Sequence, residues 1–139
     1  MIRVEEISIG DWVNVPNYYW DESPHVGQVD GIIKRHGTYY LQFSSAFSAE
    51  IDRCKPIPIT PEIIEKNGFE LKPDGWLWSN EGLEEQNYIF IQFRKGCDGV
   101  RNCEINFIHR AQVTFKQLYF VHELQHALKL CGIPKNIEL

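Results

Sequence analysis

The sequence predicts an α+β fold in which an N-terminal SH3-like β-barrel lobe precedes a small antiparallel sheet with a short helix and a long C-terminal helix. Three patterns predict this order. Short strands punctuated by glycine fill the first 60 residues, a capped helix follows at residues 60–68, and an amphipathic stretch ends at Gly132. The 139 residues make one domain by size, or two small lobes. We expect a barrel lobe over residues 1–59 and an α+β lobe over residues 60–139, or one integrated domain built from both.

The first lobe reads as strands throughout. Alternating apolar residues at positions 7–15 predict the first strand, and a loop at positions 16–24 follows it. Strands are predicted at residues 26–33 and 38–43, with a turn between them, and a further extended piece at residues 50–57. Closely spaced short strands of this kind are typical of a small, strongly bent barrel.

A short helix marks the boundary between the lobes. The sequence Pro-Ile-Pro-Ile before it is extended, because a residue that precedes proline is pushed out of the helical region. Thr60 can cap the helix, Pro61 fits its first position and Gly68 ends it.

The second lobe alternates strands with turns. Strands are predicted at residues 69–71, 76–78, 88–94 and 103–109, and the last two are joined as a hairpin. The two tryptophans of the second strand alternate, so they face one side of the sheet, where we expect them to pack against the last helix.

The last helix has signals at both ends. Thr114 and Gln117 match a capping box, which predicts the helix start, and Gly132 followed by Pro134 predicts its end.

Composition and charge exclude several classes of protein. The 14 basic and 19 acidic residues give a net charge of −5, which argues against a binder of the nucleic-acid backbone. The chain has neither a signal-peptide pattern at its start nor an apolar run of the roughly 18 residues that a membrane span needs. We therefore expect a cytoplasmic protein without a membrane partner, whose four scattered cysteines are reduced thiols.

One pentapeptide spells out a chemistry, His122-Glu123-Leu124-Gln125-His126. On a helix, His-Glu-x-x-His places two imidazoles one turn apart beside a carboxylate, as in zinc hydrolases. In that reading His122 and His126 are the metal ligands, Glu123 is the general base, and zinc is the cofactor.

Two patterns argue against the zinc interpretation. At about 100° per residue the apolar residues of the helix gather opposite His122 and His126, so the core would lie away from the two histidines. The position of the third ligand in the longer zinc pattern is Gly132, and His109, Cys97 or Cys103 would need an unusual arrangement to replace it. Phe115, Tyr119 and Leu130 flank the histidines, so this side could also pack on the first lobe, on a partner or on a second copy.

Three segments resemble an uncharacterised family of small proteins common in the genomes of gut bacteria, their phages and mobile elements. They are IGDWV near the start, PIPITPEIIEKNGFE in the middle and VHELQHALKLCGI in the last helix. Relatives commonly have Gln at the position of Glu123 and Asn at the position of His126. The resemblance therefore implies that zinc is not part of the family's design, and it implies no activity.

The remaining candidate site is the loop that holds Tyr18, Tyr19 and Trp20. Aromatic side chains are enriched at binding hot spots, although these rings could equally cover the open end of the barrel. We expect a non-enzymatic accessory or protein-interaction module that binds through this loop or through the outer face of the last helix. A small zinc-dependent hydrolase is the alternative, and a nucleic-acid-associated protein of a mobile element is the weaker one.

Overall fold

The computed structural model describes residues 1–16, 25–43, 47–79, 88–95, 101–108, 112–133 and 135–139. The fold is α+β, consists mostly of strands, and contains two antiparallel sheets and a C-terminal helix. The chain divides into two compact units, Met1–Ile57 (unit 1) and Pro58–Leu139 (unit 2). The predicted boundary lies two residues later in the chain.

Unit 1 is a five-stranded antiparallel sheet with the order β4-β3-β2-β1-β5. Its strands are β1 (Trp12–Val15), β2 (His25–Arg35), β3 (Thr38–Phe43), β4 (Phe47–Glu50) and β5 (Lys55–Pro56). A 3-10 turn at Ile51–Arg53 separates β4 from β5. The predicted extended piece at residues 50–57 is therefore wrong in its first half, because the chain turns there before β5 can pair with β1. Among the described residues, no ladder joins the edge strands β4 and β5, so the described sheet is open.

Strand β2 is shared by both halves of this sheet. Its first four residues pair with β1, and the stretch from Val29 onward pairs with β3. The register shifts between Val29 and Gly31, and a bulge of this kind bends a strand. Val13 and Leu41, from different strands, consequently share one buried cluster with Val29.

Unit 2 has two helices and a second five-stranded antiparallel sheet with the order β10-β9-β8-β7-β6. Its elements are α1 (Pro61–Lys66), β6 (Glu70–Lys72), β7 (Gly75–Ser79), β8 (Tyr88–Lys95), β9 (Arg101–Ile108), β10 (Gln112–Leu118) and α2 (Val121–Leu130). Helix α1 follows its prediction, since Thr60 Oγ1 accepts a hydrogen bond from the Ile63 amide and Gly68 has a φ of +81°. No helix in the described ranges is long and apolar enough to cross a membrane.

The predicted start of the last helix is wrong. Residues from Thr114 onward belong to β10, which pairs with β9 through Thr114↔Asn106 and Phe115↔Ile105. Val-Thr-Phe is a sequence that favours a strand, and the pairing with β9 outweighs the local capping pattern. Helix α2 begins only at Val121, and its end follows the prediction, because Gly132 has a φ of +68°.

Candidate functional site

The His-Glu-x-x-His sequence occupies the first two turns of α2. The chain enters this helix in an extended conformation, since Phe120 forms an antiparallel bridge with Pro58 and the Ile59 amide donates to the Tyr119 carbonyl at 2.9 Å. The motif therefore starts at a fixed helix terminus, where four backbone N–H groups need acceptors.

The carboxylate of Glu123 caps the N-terminus of α2. Its Oε2 atom accepts hydrogen bonds from the amides of Tyr119, at 2.6 Å, and Phe120, at 3.0 Å. A carboxylate near a helix N-terminus also interacts favourably with the helix dipole. In a hydrolase the same carboxylate would have to receive a proton from a metal-bound water. Here, one of its two oxygens is held by the backbone, which indicates a structural role.

His122 is buried, with 4% of its surface exposed. Its ring stacks on Phe120, with 5.8 Å between centroids and 6° between planes. The prediction that His122 points away from the core is thus wrong, because the chain before α2 is strand-like and Phe120 covers the first turn. Of the six apolar residues predicted for the buried side, Val121, Leu124, Ala127 and Leu128 are buried, whereas Phe120 and Cys131 are half-buried.

His126 is half-buried and lies edge-on to His122, with ring centroids 6.0 Å apart and an interplanar angle of 76°. The two imidazoles are therefore adjacent, as a two-histidine metal site requires. A structural zinc site needs four ligands and a catalytic one needs three from the protein. Within the part of the chain that the structure describes, no group of three His, Cys, Asp or Glu side chains is placed to hold a metal ion.

Three residues were candidates for the third ligand of such a site, and the structure describes one of them. Cys103 is a free thiol on β9 with 1% of its surface exposed, and burial raises its pKa to about 12, which disfavours the thiolate that metals bind. Cys97 and His109 lie outside the described residues. The described geometry thus brings together two candidate ligands and no third.

The aromatic trio Tyr18, Tyr19 and Trp20 lies outside the described residues, but the base of its loop is described. Val15 at the end of β1 pairs with His25 at the start of β2. The loop therefore leaves and re-enters the sheet at neighbouring positions on two paired strands.

Two buried polar residues have roles that the sequence analysis missed. Asp11 of the IGDWV segment is 3% exposed and accepts a hydrogen bond from the Ser8 amide at 2.7 Å. Asn67, at the end of α1, is 7% exposed and forms hydrogen bonds with the backbone of Glu138. In the sequence, the position of Asn67 just before Gly68 predicts only the end of a helix and gives no indication of its contact with Glu138.

No protein-family model matches the chain, and no curated protein or solved structure matches it significantly. The resemblance to the gut-bacterial family accordingly stays a prediction.

Proposed function

We propose that the chain is a non-enzymatic protein-interaction module, an accessory protein of a bacterial genome or mobile element that works in the cytoplasm. Unit 1 is its SH3-like lobe, and the β1–β2 loop with Tyr18, Tyr19 and Trp20 is its binding surface. The partner is a protein, and the contact is made by the aromatic side chains of the loop that joins β1 to β2.

The connectivity of unit 1 is the observation that carries this proposal. Strand β5 follows the 3-10 turn and pairs antiparallel with β1, through Val13↔Pro56 and Asn14↔Lys55. This order and the bent β2 support the proposal of an SH3-like lobe, and the described sheet is open between β4 and β5. The likeness of fold alone assigns no ligand, so the binding surface has to be argued from the side chains of the loop.

The chemistry of the loop supports protein binding. Three consecutive aromatic residues on a connection that starts and ends in paired strands combine a large contact area with a fixed base. Tyr and Trp are enriched at the centres of protein interfaces, and binding residues are often carried on loops of a rigid scaffold.

The hydrolase alternative has less support from the geometry. Glu123 is engaged by two backbone amides, and His122 is stacked on Phe120 below the helix start. Helix capping by Glu123 and the packing of His122 on Phe120 are structural roles that account for these two residues without a metal.

The test begins with peptide ligands selected on the full chain from a displayed library of bacterial proteome fragments. Affinity is then measured by fluorescence polarisation for the native chain, for a Tyr18→Ser/Tyr19→Ser/Trp20→Ser variant, and for Leu130→Ser. Leu130 is the matched control, because it is apolar, 78% exposed and lies on α2. We expect the loop variant to lose at least tenfold in affinity and Leu130→Ser to bind as the native chain does. The reverse pattern would assign binding to the outer face of α2, and the absence of any selected ligand would overturn the proposal.

A further inference from the structure

The residues after α2 are held against unit 2 by specific contacts, although they form neither helix nor strand. Residues 135–139 follow Gly132, and within them Ile137 is buried with 2% of its surface exposed. A buried aliphatic side chain on an irregular segment anchors that segment, because exposing it again to water costs free energy. The contacts of Glu138 and Lys135, on either side of Ile137, show how the segment is held.

The side chain of Asn67 forms hydrogen bonds with the backbone of this segment. Its Nδ2 donates to the Glu138 carbonyl at 2.8 Å, and its Oδ1 accepts from the Glu138 amide at 2.8 Å. The Nδ2 group also donates to the Ile63 carbonyl at 2.8 Å, which fixes the side chain on α1. The paired contact satisfies both backbone groups of one residue, as a neighbouring β-strand would. It does not depend on which side chain stands at position 138.

Lys135 supplies the side-chain recognition. Its Nζ lies 5.7 Å from the ring centroid of Phe69 and 5.4 Å from that of Trp78. Both distances are within the range of cation–π contacts. Burial lowers the pKa of Lys135, an effect that the nearby Glu138 opposes. The ammonium group is thus partly withdrawn from water at the two rings.

We propose that Asn67, Phe69 and Trp78 form a recognition groove for extended peptides, and that residues 135–139 are its resident ligand. The occupant in function is a segment of a partner protein with lysine two positions before an aliphatic anchor, which displaces the resident segment. The hydrogen bonds to the backbone, the pair of rings that holds a cation and the burial of an aliphatic side chain together select such a segment.

The resident segment is suited to displacement. Because it takes part in none of the strand ladders, it can leave without breaking a hydrogen bond of the sheet. Segments of this kind open locally at lower free energy than the strands of the core. The competing partner segment would make the same contacts, so the exchange requires no rearrangement of α1 or β7. The groove lies wholly in unit 2 and is independent of the β1–β2 loop.

The first experiment uses the full chain and a fluorescein-labelled peptide with the sequence of residues 133–139, IPKNIEL. Ile137→Ser in the protein weakens the resident segment and leaves the groove intact. We expect the peptide to bind this variant at least tenfold more tightly than it binds the native chain. Adding Asn67→Ala to the variant, or Lys135→Glu to the peptide, should reduce binding at least tenfold. Failure of the peptide to bind a folded Ile137→Ser chain would overturn the proposal.

The second experiment needs no variant and decides the matter if Ile137→Ser does not fold. Amide hydrogen exchange of Glu138 is measured in the native chain and compared with that of Ile105 in the inner strand β9. We expect Glu138 to exchange at least 100-fold faster than Ile105, and excess unlabelled peptide to accelerate Glu138 alone. Equal rates would show that the segment opens only with the core, which contradicts the proposal. A concentration-dependent dimer that the peptide dissolves would assign the groove to a second copy and would also overturn it.

Discussion

Units 1 and 2 contain sheets of the same size and strand direction but complete their cores differently. In unit 1 the bulge in β2 lets strands of one sheet bury Val13, Leu41 and Ala49 in a common cluster. In unit 2 the sheet is supported from outside its ladders, because α2 contacts β10 and Trp76 of β7 donates to Glu65 of α1. The segment after α2 adds contacts to Asn67, Phe69 and Trp78.

This difference between the two cores indicates which parts of each unit can be substituted or displaced while its sheet stays intact. The cluster of unit 1 is built mainly from strand residues, which Ile2, Ile7 and Ile51 complete, whereas the sheet of unit 2 is covered by helices and an irregular segment. Loops of unit 1 can therefore vary for binding, while in unit 2 the covering elements themselves can serve as switches.

Truncation of the buried side of α2 should give the largest effect. Leu124 is fully buried, so we expect Leu124→Ala to lower the free energy of unfolding by about 3 kcal/mol through lost burial and a cavity. The exposed Leu130 on the same helix is the control, and Leu130→Ala should change stability by less than about 0.5 kcal/mol. Denaturant titration gives the magnitudes, and hydrogen exchange shows which unit loses protection. Equal losses in peptides of both units would mean that the two cores unfold together.

Alkaline pH should probe one buried thiol in each unit. Burial raises the pKa of Cys103 to about 12 and that of Cys54 to about 11, from an ordinary value of 9.0. Because the thiol ionises more readily in the unfolded state, its contribution to stability is complete below the unfolded pKa and is lost progressively as the pH rises from that value to the folded pKa. Between pH 9 and 10.5 we expect a loss of about 2 kcal/mol from Cys103 and, after allowance for solvent screening, about 1 kcal/mol from Cys54.

Cys103→Ala and Cys54→Ala are the variants that separate these two contributions from other alkaline titrations. Each should be less stable than the native chain at pH 7 and should show a flatter decline in stability toward pH 10.5. A decline as steep as that of the native chain would show that the thiol does not contribute.

The elements that the sequence predicted correctly have local causes. The turn after β2 follows from His36 and Gly37, which adopt φ values of 49° and 86°. The bounds of α1 follow from Thr60 and Gly68, and the end of α2 follows from Gly132. Each is decided by residues within a few positions of the feature.

The features that were missed depend on contacts between distant residues. The Thr114 capping pattern is locally valid, but pairing with Ile105 and Asn106 on β9 makes the segment a strand. His122 is buried because the helix starts late, after the bridge between Phe120 and Pro58. Asn67 binds a residue 71 positions away, a distance over which no local pattern gives a signal.

Removal of the capping carboxylate should give a smaller effect. Glu123→Ala deprives the Tyr119 and Phe120 amides of their shared acceptor, and we expect a loss of about 1 kcal/mol. Glu123→Gln retains an oxygen that can accept, so it should lose less than Glu123→Ala. Thermal unfolding of the three proteins ranks them. An equal loss in both variants would show that the charge, rather than the hydrogen bonds, stabilises the helix start.

The smallest effect is expected at His126, and it separates the two interpretations of the motif. A zinc site needs His122 and His126 equally, so Asn at either position would remove the metal. Packing makes them unequal, because His122 is 4% exposed and stacked on Phe120, whereas His126 is half-buried. We expect His122→Asn to destabilise by about 2 kcal/mol and His126→Asn by less than about 0.5 kcal/mol. Elemental mass spectrometry on untagged protein should find no stoichiometric zinc in the native chain or in either variant. Zinc in the native chain that both variants lose would instead make His122, His126 and Glu123 a metal centre, with the capping bonds as its support.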